Sequence, residues 1–556
     1  MSHSTLELTV AGMTCAGCER HVSDALRGAD GVVAVTSVSH ADGRALVELA
    51  GDADEDAVAA AATEAGYPAH VVPLRRAAGD QGPRSLRSDR DFDLVVVGSG
   101  SAAFAALIAA READRSVAMV EAGTLGGTCV NVGCVPSKFF IRAAELKHQA
   151  GASGFDGRGD ERRPHDQAAL VAQKRALVRS LRGAKYESVL DAYAPVELVR
   201  GWARLEAAAD GIDVVVGDRR LRAGRVLVAT GSSPWTPPIP GMDEVDVWTS
   251  TDALDTERIP ASVVVVGGGV VGLETAQMLS RLDADVTVLM SRDRLLPAED
   301  EEISAEIERI LTTEGVRIVT GARATAVRRS EAGVVVEATV RGEQGTFEAE
   351  RLLNAAGRRA NTAGLGLEAL GVALDERGAV RVDDQGRTEH PDLFAAGDVV
   401  SGPMFVYVAA HQGKVAGAAA FDGDDRIDLA AMPRVTFVAP QVASVGMTEA
   451  EARAGGHDVM VSRLPLEHVP RAIVNGRTEG LVKLVADAST DLLLGAHVVA
   501  PEAAELVHLA AQMIRAGTTV TEQAGALHAY LTWAEAMKLA CQTFHKDVAK
   551  LSCCAA

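Results

Sequence analysis

Residues 93–103 read DLVVVGSGSAA, an apolar strand that runs directly into a glycine turn and an alanine-rich stretch. Gly98, Gly100 and Ala103 follow the G-x-G-x-x-G/A pattern, in which a tight backbone turn approaches a pyrophosphate at a helix N-terminus. Glu121 ends the next apolar strand, where a carboxylate can accept hydrogen bonds from ribose hydroxyls. The alternative is an ordinary glycine turn between a strand and a helix. Because the strand, the helix and the acid are all present, this stretch predicts a dinucleotide-binding α/β unit.

The same pattern returns at residues 263–274, VVVVGGGVVGLE, with Gly267, Gly269 and Gly272. The next apolar strand runs straight into Met290, and no carboxylate stands at its end. Arg292 and Arg294 follow, and guanidinium groups suit a 2′-phosphate, although two loop arginines can also be merely solvated. The second module is therefore predicted to bind NADPH rather than NADH.

Between the two modules, residues 126–138 read GGTCVNVGCVPSK. If Cys129 lies at the start of a helix, Cys134 follows slightly more than one turn later on nearly the same face, and a disulfide becomes accessible. The positive helix end would also lower the pKa of a thiol placed there. Two inert core cysteines are the alternative, but the adjacent glycines, Pro136 and Lys138 favour a reactive pair.

Length, charge and cysteine usage exclude several classes of protein. A chain of 556 residues is too long for one core. Its net charge of −21 disfavours nucleic acid and anionic lipid as partners. No stretch approaches the roughly 18 apolar residues of a membrane span, and no secretion signal opens the chain. We therefore expect a cytoplasmic protein without stable membrane association, in which six of the seven cysteines form close pairs for metal or redox chemistry, while Cys541 is a buried apolar residue.

These motifs resemble the pyridine nucleotide disulfide oxidoreductases over about residues 91–545. The segments ATGSSPWTPPIPG (229–241), NAAGRRANT (354–362) and FAAGDV (394–399) fit the same family in order. The resemblance implies FAD in the first module, NAD(P)H in the second, and the cysteine pair against the flavin. It further implies that Cys134 is the charge-transfer thiol and that Cys129 is the exchanging one.

The resemblance also assigns residues around the flavin. Lys138 is expected to pair with Glu274 beside the flavin, and Asp398 to contact the ribitol. The other cofactor-binding residues implied are Gly127, Thr128, Thr230, Gly231, Gly357 and Gly397.

The segment HAYLTWAE, residues 528–535, departs from the commoner family members. Those members carry a His followed five residues later by a Glu, and the imidazole is the acid and base for thiol exchange. Here Tyr530 stands at the His position and Glu535 is in place, and a phenol with a pKa of about 10 shuttles protons poorly at neutral pH. His528 is interpreted as packed or solvated. Organic disulfide exchange is disfavoured, and the resemblance implies that Tyr530 lines a metal site.

The C-terminal segment LSCCAA supplies a second cysteine pair, Cys553 and Cys554. Vicinal thiolates are good ligands for a soft ion that accepts linear coordination. The eleven residues from Lys546 onward extend up to about 37 Å, enough to reach a neighbouring active site. An incidental pair at a frayed terminus is the alternative. By resemblance to the Hg(II)-reducing members, these thiols pass the metal to Cys129 and Cys134 of the other subunit.

The N-terminal region carries the third pair, Cys15 and Cys18, in GMTCAGC. Residues 5–72 are predicted to fold in the order βαββαβ. The cysteine pair then lies at the start of the first helix, where thiolates are stabilised. This pattern resembles heavy-metal-associated domains, which implies that the pair binds a soft cation. A thioredoxin-type redox pair is the alternative, but the strand order is wrong for it.

The predicted fold class is α/β and α+β multidomain: two Rossmann-like domains for FAD and NADPH, a C-terminal α+β dimerisation domain, and a ferredoxin-like βαββαβ metal-binding domain. Residues 154–166 are predicted to form a solvated loop. The predicted domains are 1–72 (heavy-metal-associated), 73–90 (flexible linker), 91–240 and 363–431 (FAD-binding), 241–362 (NADPH-binding), and 432–556 (interface domain with the metal-binding tail).

The sequence therefore predicts a homodimeric enzyme that uses FAD and NADPH to reduce thiol-bound Hg(II) to Hg(0). Two alternatives remain open. One is a disulfide reductase similar to dihydrolipoamide dehydrogenase or glutathione reductase. The other is a soft-metal-sequestering protein whose flavin unit is a vestige.

Overall fold

The computed structural model describes residues 3–10, 13, 16–39, 44–50, 53, 55–71, 86, 88–151 and 166–547. The chain divides into two compact units, Met1–Ser85 and Leu86–Ala556. Most of the predicted linker and of the predicted loop at 154–166 lies outside the described residues. No helix in the described ranges is long and apolar enough to cross a bilayer.

The first unit is one antiparallel sheet with two helices. Its elements are β1 (His3–Val10), α1 (Ala16–Arg27), β2 (Val32–Ser39), β3 (Arg44–Ala50), α2 (Glu55–Glu64) and β4 (Ala69–Val71), in the sheet order β2-β3-β1-β4. Alternate residues of β1 and β3 are buried, because successive strand side chains point to opposite faces and one face packs on the helices. The βαββαβ order predicted from the sequence is confirmed.

The second unit opens with a nucleotide-binding module. Its elements are β5 (Phe92–Val97), α3 (Ser101–Glu112), β6 (Val117–Glu121), α4 (Gly127–Asn131), α5 (Cys134–Gly151), α6 (Gln167–Arg182), a π-helical turn (Gly183–Glu187), α7 (Ser188–Ala192), β7 (Val196–Arg200), β8 (Ala203–Ala208), β9 (Gly211–Val216), β10 (Arg219–Val228) and β11 (Ser232–Pro234). The sheet order is β7-β6-β5-β10-β9-β8, with parallel pairing from β7 to β10. The runs Leu94–Val97 of β5 and Val117–Val120 of β6 are apolar because both faces of these strands are buried.

A second module of the same kind follows. Its elements are β12 (Val247–Trp248), α8 (Ser250–Asp255), β13 (Ser262–Val266), α9 (Val270–Arg281), β14 (Asp285–Met290), α10 (Glu301–Thr313), β15 (Arg317–Thr320), β16 (Ala322–Ser330), β17 (Gly333–Val340), β18 (Glu343–Ala349), β19 (Arg351–Asn354) and β20 (Arg358–Ala360). The parallel sheet has the order β12-β19-β13-β14-β15. The antiparallel sheet β16-β17-β18 is an addition that the sequence patterns did not predict.

The chain then returns to the first module. After a 3-10 turn (Glu368–Leu370), β21 (Leu393–Ala395) pairs in parallel with β10, and α11 (Val406–Ala419) packs on α3. The helices approach closely because α11 presents glycines to α3. A Cβ on Gly413 would lie 2.1 Å from the carbonyl oxygen of Ala102, and one on Gly417 would lie 2.7 Å from Ala106 Cα. The first module is thus built from two separate stretches of chain.

The last domain is a five-stranded antiparallel sheet covered by helices. Its elements are β22 (Arg434–Thr436), β23 (Gln441–Gly446), α12 (Glu449–Ala454), β24 (Val459–Pro465), a 3-10 turn (Leu466–His468), α13 (Pro470–Val474), β25 (Leu481–Asp487), β26 (Leu493–Ala500), α14 (Ala503–Ala516), α15 (Val520–Gly525) and α16 (Trp533–Gln542), with the sheet order β22-β23-β26-β25-β24. Buried residues of the sheet, α14 and α16 form one core.

One polar row crosses all five strands of this sheet. Strand pairing aligns one residue from each strand: Arg434, Ser444, His497, Lys483 and Arg463. The row faces acidic residues at the start of α10. Lys483 Nζ lies 2.9 Å from Asp300 and 2.6 Å from Glu302, and Arg463 also pairs with Glu302, at 2.7 Å. These ion pairs join the last domain to the second nucleotide module.

Candidate active site

The first glycine turn leaves a space that fits a pyrophosphate. Gly98 has φ 112°, and a Cβ there would lie 2.3 Å from the carbonyl oxygen of Ala229. Gly100 caps the N-terminus of α3, and no atom lies within 4 Å of where its Cβ would stand. Ala103 is fully buried on the sheet side of the helix. Gly98 thus makes the turn, Gly100 leaves the helix N-terminus open for a phosphate, and Ala103 packs against the sheet.

Glu121 is the last residue of β6 and faces the same turn. Its carboxylate accepts hydrogen bonds from Ser99 Oγ and from the backbone N–H of Gly123. A carboxylate has about four acceptor positions, so the side chain is held in place while retaining capacity for ribose hydroxyls.

The second glycine turn has the same geometry but a different partner at the strand end. Gly267 has φ 119°, the space beside Gly269 at the start of α9 is open, and a Cβ on Gly272 would meet the Gly267 carbonyl oxygen at 2.0 Å. The backbone N–H of Gly268 donates to Met290 Sδ at 3.3 Å. A thioether therefore lies where a carboxylate would contact an unphosphorylated ribose.

The two arginines predicted to read a 2′-phosphate differ in their surroundings. Arg292 is exposed, and it has no recorded side-chain partner among the described residues. Arg294 donates to the Pro297 carbonyl oxygen at 3.0 Å and lies 3.3 Å from Glu301. Arg292 is therefore the better placed of the two to contact a phosphate.

The two cysteines of residues 126–138 lie in different helices. Cys129 is in the short helix α4, which ends at Asn131, and Cys134 is the first residue of α5. The prediction that a single helix carries both was wrong. The backbone turns at Gly133, where a Cβ would come within 3.0 Å of the Thr128 carbonyl oxygen and 3.4 Å of Cys129 Cα. The turn folds Cys134 back toward Cys129 and places it at a helix N-terminus.

The two thiols are half-buried, are not joined by a disulfide, and differ in acidity. A hydrogen bond from Cys129, together with the charge of Lys138, lowers the pKa of Cys134 to about 7 despite burial. The same hydrogen bond and burial raise the pKa of Cys129 above its ordinary value. At neutral pH, Cys134 is therefore the thiol that ionises, with about half of it present as thiolate, while Cys129 keeps its proton.

Lys138 lies one turn along α5 and forms an ion pair across to the second module. Its Nζ is 2.8 Å from Glu274 Oε2 and lies 4.6 Å from the ring centroid of Phe437. Glu274 is buried, and its other oxygen accepts the backbone N–H of Phe437 at 2.8 Å. The pairing expected from the sequence is present, and it holds a cation next to the Cys134 thiolate.

Asp398 lies after β21, close to α3. Gly397 has φ 81°, and a Cβ there would lie 3.0 Å from the Ala102 Cβ. Ser232 Oγ donates to Asp398 Oδ2 at 2.9 Å. Of the remaining predicted cofactor residues, Gly127 (φ 66°) and Thr128 begin α4, Thr230 and Gly231 (φ 69°) lie between β10 and β11, and Gly357 (φ 131°) lies between β19 and β20. A Cβ on Gly127 would lie 2.7 Å from Gly100 Cα, so the segment that carries the two cysteines (residues 125–138, the dithiol segment) passes directly over the first glycine turn.

Arg358 is a site residue that the sequence reasoning missed. Its Nε donates to Ser232 Oγ at 2.7 Å, which links it to Asp398. Burial lowers the pKa of its guanidinium, while the charges of Asp398 and Cys134 act in the opposite direction. The sequence shows two adjacent arginines here. In the folded chain their partners differ: Arg358 contacts Ser232, whereas the Arg359 guanidinium lies 5.1 Å from the ring centroid of Trp235.

Tyr530 and Glu535 lie in the last domain, not in the module that carries the two cysteines. Tyr530 is 49% exposed. The next residue, Leu531, has φ 62°, and its backbone N–H donates to Glu535 Oε2 at 3.1 Å. Through this hydrogen bond, the buried carboxylate of Glu535 stabilises the turn at Leu531, next to Tyr530. His528 lies 2.9 Å from the Gln523 side-chain nitrogen and 3.3 Å from the Ala526 carbonyl oxygen, which ties its ring to its own segment.

The other predicted metal ligands are only partly described. Cys15, Cys553 and Cys554 lie outside the described residues. Cys18 is in the first turn of α1, partly buried against the core of the first unit. Cys541 is fully buried, and burial raises its pKa to about 12, so it behaves as an apolar residue. Within the described ranges, no three His, Cys, Asp or Glu side chains are grouped to hold a metal ion.

Comparison with known proteins agrees with this geometry. Residues 92–413 match the pyridine nucleotide-disulphide oxidoreductase model, 432–541 match its dimerisation domain, and 7–68 match the heavy-metal-associated domain. The chain belongs to the pyridine nucleotide-disulphide oxidoreductase family. It is similar to curated proteins named mercuric reductase. That of Bacillus cereus is 42% identical over 99% of this chain and 86% of its own length, and that of Acidithiobacillus ferrooxidans is 43% identical over 99% and 98%.

Solved structures show the same fold. LpdA from Mycobacterium tuberculosis has a TM-score of 0.73 and 30% identity, covering 81% of this chain and 98% of its own. The flavoprotein disulfide reductase RclA from Escherichia coli has a TM-score of 0.71 and 27% identity, covering 81% and 99%. The predicted fold class is therefore confirmed.

Proposed function

We propose that this chain reduces Hg(II) to Hg(0) with NADPH, the two electrons of one NADPH converting one Hg(II) and leaving NADP⁺ and a proton. The observation that carries the proposal is the unequal dithiol of Cys129 and Cys134 beside an open nucleotide cradle, in a chain where Tyr530 stands at the position of the usual catalytic His. The identity to mercuric reductases over nearly the whole chain supports it.

The residues present fit both cofactors. Gly100 and Gly269 leave open helix N-termini for two pyrophosphates, and Glu121 and Asp398 offer carboxylates to the ribose and the ribitol of FAD. Met290 and Arg292 favour NADPH over NADH. When bound, FAD supplies electron transfer between NADPH and the dithiol or the metal.

The dithiol suits a soft, two-coordinate metal ion. Cys134 offers a thiolate at neutral pH, and Cys129 becomes a second one once it gives up its proton to solvent or to a departing thiolate. Lys138 balances the negative charge that this creates, while Glu274 fixes the lysine. Tyr530, a poor acid and base at neutral pH, lines the metal site without promoting organic disulfide exchange.

Metal delivery is assigned to the accessory pairs. In this proposal Cys15 and Cys18, or Cys553 and Cys554 directly, capture thiol-bound Hg(II), and the tail of one subunit passes it by thiolate exchange to Cys129 and Cys134 of the other. The dimerisation-domain match supports a homodimer. We place this activity in the cytoplasm, in line with the paired cysteines.

The decisive test is NADPH oxidation by the purified protein on addition of Hg(II) with excess thiol, with release of elemental mercury vapour. We expect Hg(II)-dependent turnover and none with lipoamide or glutathione disulfide. Turnover of the disulfides without mercury activity would indicate a disulfide reductase. Bound metal with neither flavin nor turnover would indicate a sequestering protein.

The role of the tail is tested by the double variant Cys553→Ala and Cys554→Ala. We expect slower turnover of thiol-bound Hg(II), with the rate of flavin reduction by NADPH unchanged in stopped-flow absorbance. Hybrid dimers of this variant with a Cys134→Ala subunit should regain activity if the tail serves the other subunit. Loss of flavin reduction in the double variant would contradict the assigned role.

A further inference from the structure

The side chain of Asn131, which lies between the two cysteines in the sequence, forms hydrogen bonds within the dithiol segment. Asn131 Nδ2 donates to the Leu125 carbonyl oxygen at 2.9 Å and to the Gly127 carbonyl oxygen at 2.8 Å. Both acceptors precede Cys129, so the amide ties the start of the segment to its middle. Its own carbonyl oxygen, Oδ1, remains available for a partner outside the segment.

That partner is Arg182, at the end of α6. Arg182 Nη1 donates to Asn131 Oδ1 at 3.2 Å, and Arg182 Nε lies 3.6 Å from Glu187 in the π-helical turn that follows. The same turn contacts the start of the segment through Tyr186, because a Cβ on Gly126 would lie 3.2 Å from the Tyr186 ring. Helix α6 and its turn therefore touch the dithiol segment at its start and at its middle. Such π-helical turns often occur at functional sites.

The contact between Asn131 and Arg182 borders a cleft of about 390 Å³ between the dithiol segment, α6 and α8. Lys174 and Arg175, which also line this cleft, pair with Asp255. Among the described cations of the cleft, Arg182 is the one with a recorded hydrogen bond to the dithiol segment. On the side that faces α6, the described part of the chain attaches the segment through the bond from Arg182 to Asn131, while Ser99 and Glu274 bind it elsewhere, at Gly126 and Lys138.

We propose that Asn131 and Arg182 are positioning residues that hold the sulfurs of Cys129 and Cys134 within bonding distance, and thereby set how readily the pair is oxidised. This inference deepens the proposed function. It rests on that function only for the alternation of Cys129 and Cys134 between dithiol and disulfide. Neither residue touches the reacting sulfurs, and both act through the backbone of the segment.

The expected direction follows from the dithiol–disulfide equilibrium. Oxidation joins the two Sγ atoms and passes two electrons and two protons to an acceptor disulfide, which becomes a dithiol. A segment already held in place has little conformational freedom to lose when the bond forms, which favours the disulfide. Releasing the segment gives the dithiol more freedom, so the reduction potential of the pair becomes less negative.

The test measures this equilibrium without mercury. The holoenzyme is equilibrated in mixtures of reduced and oxidised dithiothreitol, quenched in acid and alkylated, and the tryptic peptide 116–138 is analysed by mass spectrometry. For Asn131→Ala we expect the oxidation constant to fall about tenfold, a shift of about 30 mV, and for Arg182→Gln about threefold. Arg179→Gln is the matched control, because Arg179 is exposed on the same helix and lines the same cleft, yet its side chain forms no hydrogen bond or ion pair with the described residues.

The outcomes separate this inference from the proposed function. Equal oxidation constants for wild type, Asn131→Ala and Arg182→Gln would overturn the positioning role and leave the mercury assay unaffected. A shift in both variants, in a protein that fails the mercury assay, would support the positioning role and reject the function. If Asn131→Ala does not fold, Arg182→Gln decides, because the Arg182 side chain is only partly buried and Asn131 keeps both of its own donor bonds.

Discussion

The two nucleotide modules differ in the residue that ends the strand after each glycine turn. Glu121 offers a carboxylate at the end of β6, whereas the corresponding strand ends in Met290, whose sulfur accepts the Gly268 N–H. A thioether cannot hold two ribose hydroxyls, so an unphosphorylated ribose gains little here. The exposed Arg292 follows two residues later and can contact an anion.

Arg292→Ala tests this reading of the second module. We expect KM for NADPH to rise about tenfold, since a hydrogen bond to a charged group contributes roughly 1.5 kcal/mol. KM for NADH should change little, because NADH lacks the 2′-phosphate. Steady-state kinetics with both nucleotides check the prediction, and an equal change for the two would contradict it.

At the scale of elements, the packing of α11 on α3 positions the flavin module. Gly413 and Gly417 bring the α11 backbone against Ala102 and Ala106, and Gly397, just before α11, packs on the same helix. Since α3 begins at Gly100, any displacement of α11 moves both the phosphate cradle and Asp398.

Gly413→Ala should therefore destabilise the protein and release FAD. The added Cβ would lie 2.1 Å from a backbone oxygen, and overpacking of this kind costs about 1–3 kcal/mol. Chemical denaturation and the ratio of flavin to protein absorbance measure the two effects. Gly525→Ala is the control, because no atom lies within 4 Å of its Cβ position. Full flavin content in Gly413→Ala would show that this contact does not position the cradle.

The sequence anticipated the elements that follow from hydrophobic pattern and glycine spacing, and it failed where side-chain or backbone packing decides. The strands and turns around Gly98 and Gly267 follow from apolar runs and glycine spacing, and their ends were predicted within about two residues. The break between α4 and α5 depends on Gly133 packing against Thr128, which no helical periodicity reveals. Arg358 gains its role from Ser232, more than a hundred residues away.

At the scale of the whole molecule, the polar row couples the last domain to the second module around a buried histidine. His497 is fully buried, and one ring nitrogen lies 2.9 Å from the Met447 carbonyl oxygen. Burial lowers its pKa, although Asp300 and Glu299 nearby act in the opposite direction and Arg434 adds to the lowering. The imidazole is therefore neutral in the folded protein at pH values where it would be charged in the unfolded chain.

Stability should consequently fall as the pH drops below the ordinary histidine value of about 6.5. The unfolded chain binds a proton that folded His497 does not, at up to about 1.4 kcal/mol per pH unit. Denaturation midpoints at descending pH should fall less steeply for His497→Gln than for wild type. His148, whose pKa burial also lowers, supplies part of the remaining slope. The exposed His508→Gln is the control, and identical slopes for all three proteins would refute the assignment.

The polar row also constrains how this protein can be recombined with its relatives. Each of the five strands contributes one side chain; Glu449 of the same domain pairs with Lys483 and Arg463, and further acids lie at residues 299–302, more than a hundred positions earlier. A recombination crossover between these two stretches would combine the basic side chains of one parent's sheet with the start of α10 from the other parent. Grafted C-terminal domains should therefore be tolerated best when the donor matches the recipient at both stretches.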